Sequence, residues 1–234
     1  MVIHNRFKPK YKSFQRLREN INNTKKIYTF KKKKWAQLLK RLVRSKKYKF
    51  FNHDLYHISR NAKLFKNSYR SQLLTKQRLK LFYGKLSDNK LKNLSRKAVV
   101  RSKIKFIKNR ASEILLLSLE TRLDSTLYRS YFVSTISSAR QLIIHGNILV
   151  NNKKVTQSNL LLVNGDLIQI LKSAEITVKK NILKSTFKPL PPTHLEINFK
   201  ILSIYFIADI KVIHLSNYYS FWLNLKNVLS SYKN

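Results

Sequence analysis

Glu120 and Asp124 stand four residues apart, the spacing that puts two carboxylates on one helix face, where they could divide acid and base work. No nucleophile or further base accompanies them, and Asp124 is flanked closely by Arg122 and Ser125, so a local structural role outweighs catalysis. His53 and His57 in "HDLYH" are also one helical turn apart, as two imidazoles on a metal-binding helix would be. The Glu that a zinc-hydrolase helix needs is missing there, and the basic surroundings offer no third ligand. The chain has no cysteine, which excludes disulfides, thiolate metal sites and cysteine nucleophiles. The expectation is a non-enzyme without metal or cofactor.

The chemistry that remains is cationic. Forty-nine Lys and Arg stand against 10 Asp and Glu, a net charge of +39, so a compact state needs a neutralising polyanion, and nucleic acid fits better than a membrane surface. Residues 1 to 110 carry 35 of the cations and 3 of the acids, whereas residues 111 to 234 carry 14 and 7. The thinner half nevertheless holds the most regular pattern, residues 119 to 155, with Arg122, Arg129, Arg140, Lys153 and Lys154 at spaced positions. Ser134 or Thr135 can cap a helix whose free N–H groups suit a phosphate, and Gln141 and His145 follow along it.

These side chains need a scaffold. Leu119, Leu123, Leu127 and Tyr131 recur every four residues and predict one helix over 119–131, which would set Arg122 and Arg129 on a common side off that stripe. A second helix follows, with Ala139, Leu142 and Ile143 inward, Ser137, Arg140, Gln141 and Ile144 outward, and Gly146 as its left-handed end. Ile148 to Val155 reads as a hairpin turning at Asn151-Asn152, and Asn164-Gly165-Asp166 as a further turn into "LIQI".

The fold class expected is α+β: a basic, mostly helical domain plus a small module of two helices and short strands, with a basic extended N-terminal region. The boundaries are 1–45 for the extension, 46–118 for the helical domain, 119–183 for the module and 184–234 for a C-terminal segment that docks back on the helical domain. Trp35, Leu38, Leu39 and Leu42 predict a basic amphipathic helix within 31–47, and residues 71–94 and 96–108 also read as helical. Trp35, Phe50, Phe51 and Tyr56 are expected to pack rather than to stack on bases. Residues 173–193 are polar, end in "PLPP" and read as a linker. The run "ILSIYFIADIKVIHL" is broken by Asp209 and Lys211, too soon for a spanning helix of about 20 residues.

The stretch "LETRLDSTLYRSYFVSTISSARQLIIHGNILVNNKKV", followed by "NGDLIQI", resembles the RNA-binding module of the small-subunit ribosomal protein S-four family. "SQLLTKQRLKLFYGKL" resembles the helical domain that precedes the module in that family, "NRFKPKYKSFQRL" its opening and "PPTHLEINF" its C-terminal segment. The family's hairpin Gly is here Asn152, its usual Trp before Leu195 is His194, and the zinc-binding cysteines of some bacterial members are absent.

The resemblance implies a structural constituent of the small ribosomal subunit that binds small-subunit rRNA. It would nucleate assembly of the 5′ domain and help form the mRNA entry region beside proteins of the S-three and S-five type, away from any membrane. On that basis the expected RNA contacts are Arg122, Arg129, Ser134, Thr135, Arg140, Gln141, His145, Lys153 and Lys154, with Lys76, Arg78 and Lys80 in the helical domain. The competing readings are an RNA-modifying enzyme and a ribosome quality-control factor using the same module. "RLD" resembles a pseudouridine synthase motif, but Leu127 and Arg129 stand where that motif needs Thr and Gly. A composition of 21 Asn and 3 Gly suits an A/T-rich organellar gene. Together with a start that offers no import signal, it points to the mitochondrion, with plastid or bacterial cytoplasm as alternatives.

Overall fold

The computed structural model describes residues 11–22, 25–51, 69–104, 110–184, 192–207, 219, 221 and 223–232. The opening "NRFKPK", the His53–His57 pair, Tyr56 and residues 208–218 lie outside them. The chain divides into two compact units, residues 1–79 with 219–234, and residues 80–218, whereas the expected segments break at 45, 118 and 183.

In the first unit, helix α1 (Lys12–Leu17) buries Phe14 and Leu17, which are 2 % and 4 % exposed, and ends at Arg18 in a left-handed conformation. A 3-10 turn, Lys25–Thr29, buries Ile27. A second, Lys33–Trp35, leads into α2 (Ala36–Phe51). Trp35, Leu38 and Leu42 are buried at spacings of three and four, and each contributes roughly 1.5–3 kcal/mol of apolar transfer. Trp35 also meets the Phe30 ring at 4.8 Å, so it packs within the chain. The stripe that predicts a helix in 31–47 is therefore present, shifted toward the C-terminus because the four lysines at 31–34 form only a 3-10 entry.

Helix α3 (Tyr69–Phe82) carries the buried Leu79, and α9 (Leu225–Ser230) belongs to the first unit with Val228 buried. Asn224 caps α9 by accepting from the Asn227 N–H.

In the second unit, Ser87 accepts from the Lys90 N–H and starts α4 (Asp88–Ser102), which buries Leu91 and Ala98 and packs against α5 (Ala111–Glu120). The single helix expected over 119–131 is two. α5 ends at Thr121, Arg122 is extended at φ −75° and ψ 140°, and α6 spans Leu123–Arg129. The break is stabilised by the segment 158–162. Leu123 N–H donates to Leu160, Leu162 N–H donates to Thr121, and Arg122 forms an isolated bridge with Leu161. Leu119, Leu123 and Leu127 are fully buried all the same, while Tyr131 lies past the helix at φ 63°.

Helix α7 (Ile136–Ile144) follows, capped by the Thr135 hydroxyl accepting from Ser138 N–H, and Gly146 at φ 67° ends it in the left-handed region. The hairpin then forms at the expected place: Asn151 and Asn152 both have positive φ, between β1 (Ile148–Val150) and β2 (Lys153–Val155). The Asn151 side chain bonds Asp166 at 2.9 Å and the Leu167 N–H at 2.9 Å, tying the hairpin to the turn before β3 (Leu167–Ile170).

Two expectations for the C-terminal third are corrected. Residues 172–184 are helix α8, because Ala174, Val178 and Ile182 recur every four residues as a buried stripe that outweighs the polar composition between them. Residues 195–206 do not join a docked tail. They form β4 (Leu195–Asn198) and β5 (Ser203–Phe206), which complete an antiparallel sheet in the order β2-β1-β3-β5-β4. Their β-branched and aromatic residues suit a ladder: Ile204 lies opposite Ile168 on one side and Ile197 on the other. Among the described residues no helix is long and apolar enough to cross a membrane.

His194, just before β4, is 1 % exposed, lies 5.9 Å from the Phe206 ring, and its Nε2 meets no hydrogen-bond partner. Burial pushes its pKa from 6.5 down to about 4; Glu120 pulls it upward and Arg129 downward, both more weakly. The unfolded chain takes up this proton first as pH falls, so the stability is complete above 6.5 and is lost on the way down to about 4. We expect this group alone to remove on the order of 3 kcal/mol of stability across that window. Urea midpoints at pH 7 and 4.5 should show this loss, and His194→Phe should flatten it.

Candidate nucleic-acid interface

The expected contact residues separate into two sets. The arginines turn inward. Arg122 is 9 % exposed and donates Nε and Nη2 to the Asp124 carboxylate at 2.9 and 2.8 Å. Arg129, 4 % exposed, donates to Glu120 at 2.9 and 2.6 Å, and its guanidinium lies 5.2 Å from the Phe82 ring centre. Glu120 also accepts from the Tyr83 hydroxyl. Arg140 donates Nε to Asp124 at 2.7 Å, and Nη1 and Nη2 to the Gly84 and Tyr83 carbonyls at 2.6 Å each. Arg78, in the first unit, donates to the Leu17 carbonyl at 3.1 and 2.9 Å. Burial lowers its pKa, opposed by Glu19 at 3.7 Å.

Asp124 and Glu120 are thus the counter-ions of Arg122, Arg140 and Arg129. Asp124 and Glu120 are 1 % and 0 % exposed, and neither is left with a free face for acid or base work. Bidentate geometry and full pairing make such buried charges tolerable.

The second set faces outward. Ser137, Gln141 and His145 are exposed at intervals of four along α7, forming one ridge, with Ser134 exposed and Thr135 half-buried at its start. Lys153 and Lys154 are exposed on β2. The Lys154 stem crosses Gly146, where an added Cβ would stand 2.2 Å from its Cε, so the lysine lies beside the end of α7 and its ridge. Ile144, also exposed, interrupts the polar surface. Lys80 is paired with Asp88 at 2.5 Å, and Lys76 Nζ lies 5.0 Å over the Tyr232 ring.

The expected list omits exposed cations on α4. Lys90, Lys97 and Arg101 are exposed and share one side of it, about a quarter turn from the buried Leu91 and Ala98. The signal was the spacing of seven and four, which repeats on the polar side the stripe that marks the helix.

Comparison with known proteins adds lineage to geometry. The S4 domain family model matches residues 121–168, the span from the α5–α6 break to β3. The chain is 32% identical over 200 residues to small ribosomal subunit protein uS4m of Marchantia polymorpha, covering 84% of this chain and 88% of that one. It is 36% identical over 141 residues to uS4 of Mesomycoplasma hyopneumoniae strain 7448, covering 58% and 65% respectively. It is 39% identical over 144 residues to uS4c of Chlorella vulgaris, covering 61% and 65%.

Proposed function

The chain belongs to the uS4 family of small ribosomal subunit proteins, and from that premise we propose that it is a structural, non-catalytic constituent of the small subunit that nucleates assembly of the rRNA 5′ domain and borders the mRNA entry region. The observation that carries the reading is the α7 ridge of Ser137, Gln141 and His145 with Lys153 and Lys154 beside it. RNA helices are read through phosphates and 2′-hydroxyls, which a row of polar side chains and two exposed lysines can reach.

In this proposal Ser134, Thr135, Gln141, His145, Lys153 and Lys154 touch RNA directly, and Lys76 and Lys80 add charge on α3. Arg78, Arg122 and Arg129 hold the surface in place. The protein neighbours are of the S-three and S-five type. The compartment proposed is the mitochondrion, supported by the Asn-rich, Gly-poor residue usage that suits an A/T-rich organellar gene and by the likeness to uS4m of Marchantia polymorpha over most of both chains.

The test is sedimentation of native ribosomes on a gradient after a high-salt wash. We expect the chain in the small subunit at one copy per particle. Release at moderate salt, or recovery only in the free fraction, overturns the reading.

A further inference from the structure

We infer that Arg140 is a positioning residue for RNA binding: it fixes the Tyr83-Gly84 turn against α7, so that the cations of α4 and the α7 ridge, with Lys153 and Lys154 beside it, meet RNA in one arrangement. The inference rests on the RNA-binding reading above. All the residues concerned lie in the second unit.

Three of the five guanidinium N–H donors are aimed at acceptors within the chain: Nε at Asp124, Nη1 at the Gly84 carbonyl and Nη2 at the Tyr83 carbonyl, none longer than 2.7 Å. Asp124 is held in turn by Arg122, so the bond from α7 to the turn has a rigid, buried base. The same turn is gripped a second time through its side chain, since the Tyr83 hydroxyl donates to Glu120, the partner of Arg129. Both buried carboxylates of the module therefore act on two consecutive residues.

The turn is also shaped for this contact. Gly84 sits at φ +67°, and a Cβ there would stand 2.8 Å from the Arg140 Nη1. Side-chain bulk would push the guanidinium off its carbonyls, and a left-handed backbone resists any other residue. Three residues on, Ser87 starts α4, whose outer side presents Lys90, Lys97 and Arg101. A ligand spanning α4 and the ridge senses the angle between them, and that angle is set where Arg140 joins α7 to the turn. A planar fork that serves three acceptors cannot be replaced by a single ammonium.

The experiment measures the Kd of the full-length chain for a small-subunit rRNA transcript across a series of KCl concentrations. Arg140→Gln is expected to weaken binding by about tenfold, equivalent to ~1.4 kcal/mol, at unchanged salt slope. A residue in direct phosphate contact lowers that slope by about 0.7–0.9 when neutralised, as expected of Lys153→Gln. Gly84→Ala keeps every charge and should give the same loss at the same slope. It carries the test if Arg140→Gln does not fold by circular dichroism. Arg140→Lys should fail to restore affinity.

A slope reduced by Arg140→Gln, or rescue by Lys, makes Arg140 a phosphate contact and overturns the inference. Unchanged affinity in folded Arg140→Gln and Gly84→Ala overturns it as well. If the wild-type chain prefers the transcript no more than heparin, it is the RNA-binding reading itself that fails.

Discussion

Asp124→Ala should cost the second unit about 3–5 kcal/mol, because it breaks a buried set of ion pairs by removing the shared carboxylate. The carboxylate is 1 % exposed and accepts from Arg122 at 2.9 and 2.8 Å and from Arg140 at 2.7 Å. Its removal leaves two guanidinium groups facing each other without a counter-ion, one of them only 9 % exposed. The loss compares with a total stability of about 5–15 kcal/mol for an ordinary domain. Urea unfolding followed by circular dichroism should show the midpoint falling by a large fraction, with Asp124→Asn intermediate because the amide still accepts one bond. A wild-type midpoint for Asp124→Ala would mean that the ion pairs contribute nothing to holding α6, α7 and the Tyr83-Gly84 turn together.

The second large effect concerns affinity rather than stability. Lys153→Gln combined with Lys154→Gln removes two exposed cations on a hairpin whose backbone is set by Asn151 and Asn152, so folding should be unaffected. Each phosphate neutralised contributes a salt-dependence coefficient of about 0.7–0.9. Two of them therefore amount to roughly 25- to 60-fold in rRNA affinity at 0.1 M salt. The same binding series should show the log–log slope shallower by about 1.4–1.8. An affinity within twofold of wild type would remove the β2 hairpin from the interface.

The elements that could be read from the sequence were those in which one local signal decides. Gly146 as a helix end and Asn151-Asn152 as a tight turn follow from local backbone preference and occur at their expected positions, and of the two cap candidates, Ser134 and Thr135, it is Thr135 that caps α7. The α5–α6 break was not legible, since the Leu119, Leu123 and Leu127 stripe continues unbroken through it. What opens the helix at Arg122 is backbone pairing with residues 160–162, nearly forty positions away. α8 was hidden for a related reason: its buried stripe of Ala174, Val178 and Ile182 is only one residue wide and sits among Lys, Ser, Thr and Glu.

The site shows the same limit. Lys153 and Lys154 are both exposed on β2, the edge strand of the sheet, whereas the direction of an arginine depends on whether a carboxylate waits inside. Two of the ten acidic residues, Glu120 and Asp124, lie within the module's first turns and draw Arg122, Arg129 and Arg140 inward. A helical wheel shows Arg140 beside Gln141 and Ile144, and nothing in it tells that the guanidinium reaches back 56 residues to Gly84.

The order β2-β1-β3-β5-β4 bears on how the polypeptide emerges during vectorial synthesis. Leu167–Ile170 gains its second neighbour only when Ser203–Phe206 has been made, more than thirty positions later. Until that moment the nascent chain offers an open flank of unpaired N–H and C=O groups, the feature through which strands from separate molecules zip together. A message truncated upstream of Ser203 would make that flank permanent, and its product should clump rather than assemble.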